Sequence, residues 1–316
     1  MEERTPSRPP PSIELHPDEK WTARAFSRMR GDVGEIHVHE GTYTLLADFF
    51  LRALAHRRNF PTIGNPASEL IDAPTLQDLY SDVDHLLGSG PRGEDELQII
   101  RPQCPIRATA AMHLTDIALD AIVLHEATHI YHGHHALLSQ PAQLSREQQQ
   151  CLELDADEGA TSLALALLGQ DALKRREERR VLAYCASHGD VARLLTMAVH
   201  SSALLHIEFI RSGQTFTTHP RVRDRQAVMV LAILGFYSNK HMPDSLADEI
   251  RGSVLNAVAD CEAAYVHVTG KDSEASSAAS AIFEHEFLDT FKTAWREVRP
   301  MLEPLTYVPL PPVQPI

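Results

Sequence analysis

Apolar and polar positions follow two periods along this chain. "GEIHVHEG" alternates apolar and polar residues with period two, which predicts a short strand. "TYTLLADFFLRALAHRR" follows with an apolar stripe at helical spacing. Between Gly64 and Gly93, turn residues surround one short helical piece, "APTLQDLYSDVDHLL". "DELQIIR" is a second strand candidate, stopped by Pro102. After Pro105 the pattern turns helical. One helix is expected from about Ala108 to His132 and another from Ser145 to Leu168, with cap chemistry at Ser145 to Glu147. Later helices are expected over 176–212 (broken near "SHGD"), 221–238, 244–268 and 277–299. The pattern predicts a mainly α fold with a small β-sheet in the first third, an α+β class. One domain is expected over 13–303. A disordered, proline-rich lead (1–12) precedes it, and a proline-rich tail (304–316), extended and loosely packed, follows.

Composition narrows the function. The 316 residues suffice for a sizeable core, and 43% apolar with 23% charged residues is ordinary globular usage. Lys and Arg number 29 against 43 Asp and Glu, a formal charge of −14. The basic runs "KRREERR" and "RVRDR" are short and interrupted by acids, so nucleic acid is not an expected partner. The longest apolar run, "AVMVLAILGFY", falls short of the roughly 20 residues that a bilayer span needs. The N-terminus lacks the pattern of a signal peptide. Cys104, Cys151, Cys185 and Cys261 stand far apart, without the spacing of a zinc ribbon or a redox pair. Free thiols in the cytoplasm are the expectation. Nothing in the composition speaks to oligomeric state.

The candidate chemistry lies in "VLHEATHIYHGHH", residues 123–135. On a helix, His125 and His129 share a face and present two imidazoles to one divalent ion. Glu126 lies one step round, where it can take a proton from an activated water. His-Glu-x-x-His alone is a weak signal in a chain with 18 histidines. A catalytic zinc usually takes three protein ligands, so a third is required. "CLELDADEGA" offers it: Glu153 and Asp157 again stand four apart on an expected helix. Glu153 is the expected ligand. Asp157 is expected to accept a hydrogen bond from a ligand histidine and fix its tautomer. Further on, Thr218-His219-Pro220 leads into a helix carrying Arg225. His219 is a candidate to stabilise a developing oxyanion, and Arg225 to pair with an acid near the metal. His132, His134 and His135 are expected to be neighbours of the site and not members of it. Cys151 is not an expected ligand.

In this order the three segments resemble the gluzincin metallopeptidases, in particular the group of HtpX and the CAAX prenyl proteases: His125 to His129, Glu153 to Asp157, and Thr218 to Arg225. "HEATHIYHGH" is locally similar to the phage-exclusion peptidase Lit as well. The resemblance covers roughly residues 117–230. It implies a zincin-like core, zinc on His125, His129 and Glu153, and Glu126 as general base. It also implies Asp157 behind His125, His219 assisting the transition state, and Arg225 supporting the site. This chain lacks the transmembrane helices of that group's membrane members, so a soluble relative is expected. The expected function is a zinc-dependent endopeptidase acting on protein or peptide. Two other readings meet the same residues: a non-catalytic metal-binding regulator or sensor, and a zinc hydrolase of non-peptide amides.

Overall fold

A computed structural model describes residues 9–79, 98–140, 144–174, 187–211, 220–238, 243–271 and 285–310. The described chain is mostly helical, with one three-stranded sheet, as the periodicity predicts. The sheet uses β1 (Ser12–Asp18), β2 (Ala25–Arg30) and β3 (Val33–His39) in the order β1-β3-β2. β1 runs parallel to β3, with Ser12 opposite Val33. β2 runs antiparallel, with Ala25 opposite Val38. Both edge strands escape the periodicity reading. "SIELHPD" carries a proline and "AFSRMR" two arginines, compositions that edge strands tolerate. The described residues of the expected strand "DELQIIR" are not in the sheet. Residues 98–101 form no regular element, and 95–97 lie outside the described residues.

The helices are α1 (Glu40–Ala55), α2 (Leu76–Leu79), α3 (Pro105–Tyr131), α4 (His134–Leu138), α5 (Arg146–Lys174), α6 (His188–Arg211), α7 (Val222–Ser238), α8 (Asp244–Thr269) and α9 (His285–Leu302). The expected helical residues 80–87, 176–186 and 277–284 lie outside the described residues.

α3 is the axis of the fold, in contact with α1, α5, α6, β2 and β3. Its N-terminal half buries Ala110, Ala111, Leu114 and Ala118 against α1 residues such as Leu45, Phe49 and Phe50. Its C-terminal half turns Val123, Ala127, Ile130 and Tyr131 to the sheet, where Ile13, Met29, Ile36 and Val38 cover them. That spacing of 4, 7 and 8 is one helical face. Full burial of each large aliphatic chain, Ile36 and Ile130 among them, is worth about 1.5–3 kcal/mol. His125 and His129 are thereby left to a different face, which α5 covers. α5 approaches closely because it has a glycine there: a Cβ on Gly159 would stand 2.8 Å from Thr128 Cγ2.

Arg107 anchors the start of α3. It is fully buried, and its Nε and two amino groups reach the carbonyls of Leu54, His56, Asn59, Phe60 and Ile63 at 2.7–3.2 Å. The proline-rich tail departs from the expected loose packing over residues 304–310. Tyr307 N donates to Tyr131 O at 2.8 Å, and Leu310 is buried beside Trp295, Val298 and Leu302. Residues 311–316 lie outside the described residues.

Candidate metal centre

α5 starts with a reciprocal cap. Gln148 N donates to Ser145 Oγ, and Ser145 N donates to Gln148 Oε1. Two turns later the helix presents Glu153 and Asp157 to α3. The four-residue spacings on α3 and α5 bring His125, His129 and Glu153 together. His125 Nε2 and His129 Nε2 are 3.1 Å apart. Glu153 Oε2 is 3.6 Å from His125 Nε2, and its Oε1 is 3.7 Å from His129 Nε2.

These separations suit a metal. Zinc bonds of about 2.0–2.1 Å give tetrahedral donor–donor edges of about 3.3–3.4 Å, inside the range found here. The donor set is two imidazoles and one carboxylate. That set leaves a fourth tetrahedral position for a reactant. Electrostatics agree. Burial opposes charge on His125, but Asp157 and Glu153 outweigh it and hold the ring's pKa up at about 10. The pocket therefore favours positive charge at this point. His129 goes the other way: burial holds its pKa well below the usual range, so it is a neutral imidazole, the form that ligates.

Asp157 stands behind His125. Its Oδ1 is 2.9 Å from His125 Nδ1, a close ion-pair contact that is not aligned as a hydrogen bond. The same carboxylate accepts two hydrogen bonds from Arg225 of α7, Nε to Oδ2 and Nη2 to Oδ1, each 2.7 Å. Arg225 thus pairs with an acid near the candidate metal position, and α7 is tied to α5 through it.

Glu126 lies beside the three donors and touches the sheet. Ser27 Oγ of β2 donates to Glu126 Oε2 at 2.7 Å, and lies 2.9 Å from His135 Nε2. Burial raises the Glu126 pKa above the ordinary carboxylate range, against the opposing effect of His125 and Ser27. A carboxylate in that state both accepts and returns a proton readily. Thr218 and His219 lie outside the described residues, while Arg225 is described.

Three residues expected to be mere neighbours, or not singled out at all, join the site. His134 Nδ1 is 2.9 Å from His129 Nδ1, and His134 Nε2 is 3.0 Å from Asp155 Oδ2. His132 Nδ1 also meets Asp155 Oδ2, at 2.5 Å. The turn at Gly133 makes this possible. Its φ of 77° ends α3 and lets α4 return His134 over His129. A Cβ there would stand 2.6 Å from Leu305 O, so the tail also needs a glycine at this point. The glycine after Tyr131-His132 is the sequence signal for the turn. Ser27 carries no comparable signal.

Residues 98–235 match the family model Peptidase U49. The matched stretch is under half of the chain, and it contains all the described residues named in the site except Ser27. No curated protein and no solved structure matches the chain. The family likeness supports peptidase activity, and with it a protein or peptide substrate. Among the described residues, no helix is long and apolar enough to cross a membrane.

Proposed function

We propose that the chain is a zinc-dependent endopeptidase of gluzincin type. The observation that carries the reading is the convergence of His125 Nε2, His129 Nε2 and the Glu153 carboxylate within 3.7 Å of one another, with Glu126 alongside. The peptidase-family match over the same helices supports it. His125, His129 and Glu153 would hold the ion, and Asp157 with Arg225 would keep His125 in place. A bound zinc supplies Lewis acidity, which polarises the scissile carbonyl and acidifies water.

The chain's own residues do the rest. Glu126 takes a proton from water as the water oxygen bonds to the carbonyl carbon. It then delivers that proton to the amide nitrogen as the C–N bond breaks, leaving a carboxylic acid and a free amine. Ser27 orients the Glu126 carboxylate through its hydroxyl. β2 is an edge strand of the described sheet and carries Ser27, so an extended substrate would lie along it. His219 is proposed to stabilise the oxyanion. The motif order is that of the HtpX and CAAX protease group, and this chain is read as a relative of it in which, among the described residues, no helix is long and apolar enough to cross a membrane.

The test is Glu126→Gln on purified protein. It should keep stoichiometric zinc and lose cleavage of an unstructured protein substrate by at least about a hundredfold, the range of a general-base contribution. Retained cleavage would refute the role of Glu126.

A further inference from the structure

Behind His129 stands a second group of potential ligands, His132, His134 and Asp155. Its spacing is that of hydrogen bonds. The 2.5 Å between His132 Nδ1 and Asp155 Oδ2 is too short for two ligands of one ion, whose donor atoms stand about 3.3 Å apart. The protons of this group can be placed one by one. One carboxylate oxygen, Asp155 Oδ2, faces two ring nitrogens, His132 Nδ1 at 2.5 Å and His134 Nε2 at 3.0 Å. An ionised carboxylate only accepts. His134 Nε2 and His132 Nδ1 therefore carry hydrogen. His134 turns its other nitrogen to His129, Nδ1 to Nδ1 at 2.9 Å, and an imidazole with its one hydrogen on Nε2 can only accept there. Its Nδ1 is then an acceptor, and the facing Nδ1 of His129 must donate. That leaves His129 Nε2 with a bare lone pair, pointing to His125 Nε2 and Glu153.

We infer that His134 and Asp155 form a buried positioning arm for His129. The arm fixes the ring and tautomer of this metal ligand through an imidazole set between ligand and carboxylate. The inference rests on the metal reading above. It gives the two ligand histidines unlike supports: His125 meets Asp157 directly, while His129 reaches Asp155 through His134. The helix geometry accounts for the difference. Asp155 lies two residues from Glu153, on another face of α5. It shares that face with Cys151 and Leu152, which pack with Leu137 of α4. From there it cannot meet His129 itself, and the turn at Gly133 supplies His134 as the spacer. Histidine suits the place because one ring nitrogen accepts while the other donates.

The test is zinc affinity, measured on wild type, His134→Phe and His134→Asn by competition with a chromophoric chelator, alongside Co2+ absorption spectra. His134→Phe fills the space but cannot accept from His129. It should bind zinc ten- to a hundredfold more weakly, the usual effect of losing such a partner, with an altered cobalt spectrum. His134→Asn offers a side-chain carbonyl to His129 Nδ1 and should recover most of the affinity. Affinity of His134→Phe within twofold of wild type, or His134→Asn as weak as His134→Phe, overturns the arm while leaving the metal reading intact. Wild type that binds no zinc overturns both. If His134→Phe does not fold, nitrogen-15 spectra of histidine-labelled wild type decide. His129 should carry its proton on Nδ1 and His134 on Nε2, and the opposite tautomers overturn the inference.

Discussion

Asp157 divides one buried carboxylate between Arg225 and His125. Burial alone would raise its pKa, but Arg225, with His125, brings it down to about 2. The pairing is held together from both sides: Arg225 is buried, and without Asp157 its guanidinium would be stranded there. Asp157→Ala should therefore lower the unfolding free energy by about 3–5 kcal/mol in urea titrations, the usual effect of removing one partner of a buried pair. A loss below about 1 kcal/mol would contradict that pairing. Residues of this kind were legible in the sequence. His125 with His129, and Glu153 with Asp157, stand four apart, and a helix turns that spacing into proximity. Arg225 was legible only as a cation heading toward an acid. His134, Asp155 and Ser27 were not legible, because their contacts pass through a turn, a different helix face and a strand.

At the level of elements, the junction of α1 and α3 depends on Arg107. All five of its N–H donors are used on backbone carbonyls of residues 54–63. A lysine has three donors on a flexible stem and cannot reproduce that fork. Arg107→Lys should therefore destabilise the fold by about 2–4 kcal/mol, since each stranded carbonyl costs about 1–3 kcal/mol. A melting temperature unchanged within error would contradict this role. The long helices were legible because each buries a continuous stripe and so keeps its period. α3, α7 and α8 begin and end within a few residues of expectation, and α5 begins so but runs on to Lys174. The strands were less legible. Only β3, central and paired on both sides, shows clean alternation. β1 and β2 are edges with one partner each, and their composition reflects exposure. "DELQIIR" is not a strand over its described residues, where the Gln98 carbonyl accepts from the Arg52 side chain.

Over the whole molecule, the sheet covers one face of the α3 end and α5 covers another. The tail binds the turn between α3 and α4 through Tyr131, Gly133 and Leu305. Most supports of the candidate centre are contacts between segments far apart in sequence: Ser27 from β2, Asp155 and Asp157 from α5, Arg225 from α7. That arrangement brings three potential donors together, which is what the central claim requires. Anomalous scattering at the zinc edge, from a crystal of the protein as purified, tests it most directly. The account predicts one strong peak within bonding distance of His125 Nε2, His129 Nε2 and a Glu153 oxygen, with Glu126 nearby but not bonded. No peak, or a peak ligated by other residues, would contradict it.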